Sequence, residues 1–508
     1  MSNFTKLAWN NLNWTLVQGR VFRVQRRIFK ARKEEKMGVV HYLQDKIIHS
    51  LDAKLLSVRQ AIPVKKNKNI NNVERKLSIT PQEKWKLANS LTLNGQTDIS
   101  YCLDHLKFKN SQKGRLDLLV IKDKAKQNLV KLALEPEWEA VFESESYGFR
   151  SGRCSQDAIE ALLTSTGLRP KYVLNVDLSN YLDHINQKAL LEKLNTSSII
   201  EAQIGAWLDS DILTNFSQSL KSEQVSISLE NLQNNIISPL LLNIAFHGLE
   251  TYLRNWYDNF DYSQQKQQCR NEFDFIRYAD QFVILNSNRQ VIEEAKIVTE
   301  NWLNQIGLTL DKEENQIKNT TEGFCFLGFH IILVNRDKKY QCRIHISKMS
   351  KQSLLKKTRL IIQKNKAASS YQLINQLTPI IINWANYFQY VDCSKEFQTM
   401  DHVIFTQLRA WVFRRKAPSL NRQKLKKKYF PPGKIYIYKG VQHSNNWVLT
   451  GQKKLQNGKL VENFLPKLSW IPSKKFIKVK GSASVYDGNF TYWTLRLGKS
   501  NFYGITVK

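Results

Sequence analysis

The chain has 508 residues, more than one ordinary globular domain holds, so two to four domains are expected. Hydrophobic residues make up 42%, enough to pack cores and too many for a wholly disordered chain. Lys and Arg number 76 against 44 Asp and Glu, a net charge of +32, so the expected partner is polyanionic: RNA, DNA or an anionic membrane surface.

The surplus is concentrated. Residues 343–430 hold 18 Lys/Arg against 3 Asp/Glu, a net of +15. Arg20, Arg23, Arg26, Arg27, Lys30, Arg32 and Lys33 form a second cluster. A single basic run is commonly just a solvated face. Two dense clusters on so basic a chain favour nucleic acid. A membrane span needs roughly 20 apolar residues. The most apolar run, residues 236–245, is shorter and contains Ser238, Pro239 and Asn243, so no membrane partner is expected. Cys102, Cys154, Cys269, Cys325, Cys342 and Cys393 are scattered singly with no CxxC pair. That argues against a zinc site and for a reducing compartment.

Residues 15–60 predict helices. Val21, Val24 and Ile28 recur at helical spacing with Arg between them, and Leu43, Ile47, Leu51 and Leu55 continue the pattern. Residues 62–110 are polar and rich in Lys and Asn, and read as loops or a linker. From 121 to 330 helix and strand patterns alternate. YVLNVDL at 172–178 reads as a strand ending in a carboxylate. FDFIRYADQFVIL at 273–285 reads as strand, tight turn, strand, with a carboxylate at the turn. Residues 347–430 return to helix, and short strands and turns follow from Lys434. No internal repeat is visible.

Asp177 and Asp280 each close or interrupt an apolar strand, 103 positions apart. A charged carboxylate is costly to bury there unless it meets a cation. Two of them brought together in a sheet could hold Mg²⁺. Two-metal phosphoryl transfer uses such ligands to clamp the attacking and leaving oxygens. On spacing alone a lone strand-end Asp is more often a turn or cap residue.

The surrounding words are more specific. LALEPEWEAVFESESYGFRSGRCSQDAI (132–159) resembles the fingers-to-palm passage of group II intron reverse transcriptases. VLNVDLSNYLDHI (173–185) resembles their first catalytic-Asp motif, and IISPLLLNIAFHGLE (236–250) their template-primer motif. RYADQFVIL (277–285) resembles the YADD turn, and GLTLDKEENQI (307–317) and FCFLGFHI (324–331) the two motifs after it. The six occur in family order. WNNLNW from Trp9, VQRRIFKA and SLDAKLLSVRQ resemble the N-terminal RNA-binding region, which disfavours a transit peptide for this acid-free start. LINQLTPIIINWANYFQYV (373–391), LRAWVFRRKAP and KKKYF resemble domain X, the maturase or thumb region, and coincide with the +15 stretch. VKGSASVYDGNFTYWTLRLGK (479–499) resembles the passage that precedes an HNH endonuclease in longer members. With Lys508 the last residue, the endonuclease is expected to be absent.

The resemblance implies an α+β fold: right-hand polymerase-like fingers and palm, an α-helical thumb and a small C-terminal basic domain. The implied parts are an N-terminal helical RNA-binding region (1–61), a variable linker and fingers (62–120), fingers and palm (121–340), domain X (341–432) and a remnant of the DNA-binding region (433–508).

Several positions depart from the family's polymerase pattern. The turn reads Tyr278, Ala279, Asp280, Gln281, so a neutral amide replaces a carboxylate that would bind Mg²⁺. Leu182 stands where an aromatic residue normally packs under the incoming sugar. Leu232, Gln233, Asn234 and Asn235 replace PQGG, whose glycines let backbone approach nucleotide and template. Glu314 and Asn315 replace a Lys–Thr pair. Asp117, Leu118, Leu119 and Val120 stand where the family reads PLGIP. Ile237, Pro239, Leu240, Phe326 and Leu327 keep the apolar cores of the motifs.

The expected function is therefore that of an intron maturase that binds a group II intron RNA and promotes its folding and splicing. Asp177 and Asp280 would be vestigial carboxylates, with Mg²⁺ as cofactor only if polymerase activity survives. The alternatives are an active reverse transcriptase supporting intron mobility and a general splicing factor for several introns. Arg23, Arg26, Arg27 and Lys30 are the expected phosphate contacts on the N-terminal helix. Arg409, Arg414, Arg415 and Lys416 are those of domain X, with Trp411 packed among them and Lys424, Lys426, Lys427 and Lys428 adding non-specific attraction. Trp384, Asn386 and Tyr387 have the spacing of a helix core. DNA is at most a weak partner. A Lys, Asn and Ile bias that suggests an AT-rich genome and cysteines that suggest a reducing space, together with the family resemblance, point to an organelle, a plastid ahead of a mitochondrion or bacterium.

Overall fold

The structure is a computed structural model that describes residues 9–62, 79–97, 113–167, 169–178, 185–210, 236–259, 272–310, 315–337, 339–415, 421–455, 458–498, 501–502 and 505–506. It divides into two compact units. One comprises residues 1–161, 172–317 and 479–508, the other 162–171 and 318–478.

The first unit begins with helices Trp14–Lys33, Met37–His49 and Leu51–Ala61. Asn13 caps the first by accepting the Leu16 N–H at 3.2 Å. Val21, Ile28, Leu43, Ile47 and Leu55 are buried, as their spacing predicts, and Val24 is half-buried. Leu51 is not: the chain leaves the helix at extended Ser50 and starts a new one, and Leu51 is 43% exposed. The linker expectation for 62–110 is corrected in part. Pro81–Ser90 is a helix, closed by a capping box between Thr80 and Glu83 with Pro81 at its first position.

The long helix Lys113–Glu139 runs through the positions where a PLGIP loop was the family expectation. Without Pro or Gly at 117–120, nothing breaks it. Pro136, in its last turn, has no N–H for the Leu132 carbonyl. Buried Gln25 supplies the missing donor, its Nε2 lying 2.9 Å from that oxygen. The first helix is thus keyed to a backbone defect in its neighbour.

Strands β1 (Tyr172–Asp177), β2 (Asp274–Tyr278) and β3 (Gln281–Asn286) lie antiparallel in the order β2–β3–β1. β2 and β3 form a two-residue hairpin with Tyr278 opposite Gln281. β1 pairs with β3 so that Asp177 stands opposite Gln281.

The C-terminal passage divides between the units. Residues 433–478 belong to the second unit, whereas 479–498 are built into the first. Asp157, fully buried, accepts two hydrogen bonds from the Arg496 guanidinium at 2.7 and 2.8 Å and one from the Val479 N–H at 2.7 Å. Trp493 is fully buried against Gly152, where a Cβ would meet the indole at 2.4 Å. Tyr486 packs on Phe22 of the first helix at 5.6 Å. The strand-and-turn expectation for this end also misses the helix Phe490–Leu497.

In the second unit, strands Phe324–Phe326, Phe329–Arg336 and Lys339–Ile346 form an antiparallel sheet. Helices Lys348–Lys364, Ser370–Phe388, Ser394–Phe413 and Arg422–Tyr429 follow, then two hairpins, Ile435–Tyr438 with Val441–Ser444 and Thr450–Lys454 with Leu460–Phe464. The Tyr387 hydroxyl donates to the Leu327 carbonyl at 3.0 Å, and Trp384 packs on Phe388 and Phe397. No helix among the described residues is long and apolar enough to cross a membrane.

Candidate nucleic-acid interface

The β2–β3 turn carries the chemistry that a palm would use. Ala279 sits at φ +57°, a left-handed conformation costing an L-residue about 1–2 kcal/mol. Its neighbours hold it there. Arg277, buried at 1% exposure, donates through Nη1 to the Ala279 carbonyl and to Asn243 Oδ1, both at 3.1 Å. Asn243 in turn donates to the Gly148 carbonyl at 2.8 Å. Gly148 lies so close to the turn that a Cβ would stand 2.2 Å from the Ala279 nitrogen. The backbone of 145–147 runs beside β2, exchanging hydrogen bonds with Arg277 in both directions at 2.9 Å.

Charges beneath the turn are paired. Burial lowers the Arg277 guanidinium to about 10, opposed by Glu143, so it stays cationic at neutral pH. Burial alone would raise the Glu143 carboxyl. The His247 ring at 3.1 Å, the Arg277 charge and the Gly248 N–H at 2.7 Å outweigh it and bring Glu143 down to about 2. Glu143, Gly148, Asn243 and Arg277 were not singled out from the sequence. The words SYGFR and LLLNIAF marked their segments but not their contacts.

On this scaffold Asp280 is largely buried and Asp177 exposed. The Asp280 carbonyl accepts the Leu178 N–H at 3.2 Å, which locks the turn against the end of β1. Gln281 Nε2 donates to Asp177 Oδ2 at 2.8 Å. A carboxylate only accepts, so the amide must turn its nitrogen toward it. That N–H takes a lone pair that a divalent cation would otherwise use. The donor set at this turn therefore does not match the carboxylates of a two-metal site. Among the described residues no group of three His, Cys, Asp or Glu side chains comes together to hold a metal. Leu182, residues 232–235 and Glu314 lie outside the described residues, as does the side chain of Asp117. Asn315 is buried, and its carbonyl accepts from Lys296 at 3.0 Å.

On the first helix Arg23, Arg27 and Lys30 are exposed. At 100° per residue they fall within an arc of about 60°. Arg20 is exposed on the same side but is spoken for by Asp52, at 2.5 and 2.8 Å. Arg26 is corrected. It is half-buried, its guanidinium stacks 4.7 Å over the Phe490 ring, and it serves the internal packing.

In the second unit Arg409 and Arg414 are exposed, and Lys416 lies outside the described residues. Trp411, expected to pack among these basic residues, does so, and Arg415 also makes internal contacts. Trp411 is 3% exposed and donates Nε1–H to the Asn365 carbonyl at 3.0 Å. Arg415 lies 3.7 Å over its ring and donates to the carbonyls of Lys366, at 2.6 Å, and Ala368. Together they pin the end of one helix to the loop after another. Lys424, Lys426, Lys427 and Lys428 are all exposed on the Arg422–Tyr429 helix, which buries only Leu425. Lysines in its last turn also suit the negative end of the helix dipole.

A palm-type hairpin behind a helical N-terminal region, followed by a basic helical region, defines a reverse-transcriptase-type protein. Three family models match in that order: the N-terminal domain of reverse transcriptase at 9–91, reverse transcriptase (RNA-dependent DNA polymerase) at 107–331, and the group II intron maturase-specific domain at 351–430. The chain belongs to the group II intron-encoded reverse transcriptase/maturase family. It is 25% identical over 391 residues to maturase-like protein 1 of Euglena longa, covering 75% of this chain and 78% of that one. It is 27% identical over 250 residues to protein YkfC of Escherichia coli K12, covering 43% and 62%. Group II intron-encoded protein LtrA of Lactococcus lactis subsp. cremoris matches at 29% over 157 residues, 30% of this chain and 25% of that protein.

Proposed function

We propose that this protein is an intron maturase that binds a group II intron RNA, favours its folded form and promotes its splicing, and that it no longer synthesises DNA. The observation that carries the reading is the coincidence of the maturase-specific match at 351–430 with the +15 stretch of 343–430. The Gln281–Asp177 hydrogen bond supports the second half.

Group II splicing is catalysed by the RNA, so the protein needs no acid, base or metal of its own. It shifts the intron toward its active fold by the difference between its affinities for folded and misfolded RNA. Arg23, Arg27 and Lys30 on one unit and Arg409, Arg414 and the Arg422–Tyr429 lysines on the other contact phosphates. The palm is the scaffold that holds the first helix in place. The compartment is an organelle, with a plastid favoured by composition.

Ultraviolet cross-linking of the protein in its native organelle, followed by sequencing of the bound RNA, tests this. Enrichment of one group II intron supports the reading. Enrichment of several introns favours a general splicing factor. A profile without group II introns contradicts it.

A further inference from the structure

Trp447 is an exposed aromatic residue in a strongly cationic setting. It is 48% exposed, and its ring lies 5.3 Å from Phe405 at an interplanar angle of 19°, so one face is fixed by stacking. Phe405 is itself buried and packs on Phe430, immediately after the basic helix, at 5.1 Å. The Thr450 hydroxyl donates to the Tyr429 carbonyl at 3.3 Å, and the Gly433 N–H donates to Asn446 Oδ1 at 2.9 Å. Two hydrogen bonds, together with Phe405 packed between Trp447 and Phe430, therefore tie the segment around Trp447 to the end of the Arg422–Tyr429 helix.

The charge there is predominantly positive, with Asp401, on the helix that carries Phe405, the acid that acts on Lys467. Residues 421–467 contain 11 Lys/Arg and a single acid, Glu462, which is paired with Lys434 at 2.5 Å. Lys467, at 6.0 Å from the Trp447 ring centroid, adds a cation beside the indole. An oriented ring that leaves much of its surface in water gives away burial energy. A flat π surface in a cationic field matches a ligand with stackable rings joined by phosphates. An acidic protein would supply the charge but not the ring.

We infer that Trp447 is a stacking platform for an unpaired base of the bound RNA, with the lysines of the Arg422–Tyr429 helix and Lys467 holding the flanking phosphates. This rests on the RNA-binding reading above and adds a single-stranded element to it. It also gives the aromatic contact in this region to Trp447, since Trp411 is buried.

The test is fluorescence anisotropy with the full-length protein on a labelled oligouridylate and on an RNA duplex of equal length. Trp447→Leu keeps Phe405 covered while removing the π face, and Trp447→Phe restores it. The expected result is about a tenfold weaker affinity of Trp447→Leu for the single strand, near-native affinity for the duplex, and recovery in Trp447→Phe. The slope of log affinity against log salt should not change, because no charge is lost. Equal affinities of the wild type and Trp447→Leu for the single strand would overturn the stacking role while leaving RNA binding standing. So would equal losses on both RNAs. A wild type that binds neither RNA would overturn both.

Discussion

Gln281 and Asp177 face each other across the β1–β3 ladder, and the amide of one donates to the carboxylate of the other at 2.8 Å. In a working palm the same register would set two carboxylates opposite each other, stable only with a cation between them. Here the pair is self-satisfied. Gln281→Asp is expected to lower the melting temperature slightly in EDTA, as like charges directly opposite destabilise by up to about 1 kcal/mol. Mg²⁺ should recover the loss, and the wild type should not respond. A wild type whose melting rises with Mg²⁺ would show that the turn still binds the ion.

Primer extension gives the catalytic counterpart. Wild type with Mg²⁺ or Mn²⁺ should yield no template-dependent cDNA. Gln281→Asp alone should not restore it, because Leu182, Asn234, Asn235 and Glu314 still depart from the polymerase pattern. cDNA from the wild type contradicts loss of the polymerase, and cDNA from Gln281→Asp alone would assign the loss to Gln281 by itself.

Phosphate contacts and packing arginines separate by salt dependence. Arg23→Ala/Arg27→Ala should weaken intron binding and lower the salt slope by about 2, and Arg414→Ala by about 1. Arg26→Ala and Arg415→Ala should leave the slope unchanged and lower stability, since their guanidinium groups serve Phe490 and the 366–368 carbonyls. Salt-titrated binding and thermal melting, run on the same variants, distinguish the two classes.

The buried Arg496–Asp157 pair anchors residues 479–498. Arg496→Ala leaves an uncompensated carboxylate and should cost about 3–5 kcal/mol. Neutralising both partners, as in Arg496→Met/Asp157→Asn, whose amide oxygen still accepts the Val479 N–H, should cost less. Urea unfolding of the two variants checks the order. The reverse order would mean that the ion pair is not what holds the segment.

Glu137 predicts a pH dependence. Burial raises its carboxyl from 4.5 to about 7, only partly offset by the Gln44 amide at 2.5 Å and by Arg32 at 3.9 Å. Between those values the folded state holds a proton that the unfolded state has released. Stability therefore falls as pH rises through this window, by up to about 1.4 kcal/mol per pH unit from this group. The loss is complete above 7 and absent below 4.5. Glu137→Gln should flatten the decline in urea midpoints between pH 5 and 8. An unchanged profile would assign the decline to other groups.

Much of this was legible in the chain. The YADQ hairpin follows from apolar alternation around a two-residue turn. The helix-core role of Tyr387 follows from spacing, and the structure adds its bond to Leu327. The helix Pro81–Ser90 was missed although Thr80, Pro81 and Glu83 spell its start, because Lys and Asn around it masked the signal. Leu51 was misplaced because periodicity alone does not register a break at Ser50. Trp411 and Arg415 stand in a basic sequence, and only the fold shows that the ring is inside and the guanidinium is capping carbonyls. Arg496 and Asp157 are 339 positions apart, and no local pattern links them.

The central claim is that this chain supports splicing. Its most direct test is the splicing rate of its cognate intron RNA, at a Mg²⁺ concentration too low for unaided reaction, with and without the purified full-length protein. The account predicts accurate lariat and ligated exons only with protein, undiminished in Asp177→Asn/Asp280→Asn and reduced in Arg23→Ala/Arg27→Ala. No stimulation by the wild type, or stimulation abolished by the palm substitutions in a protein that remains folded, would contradict it.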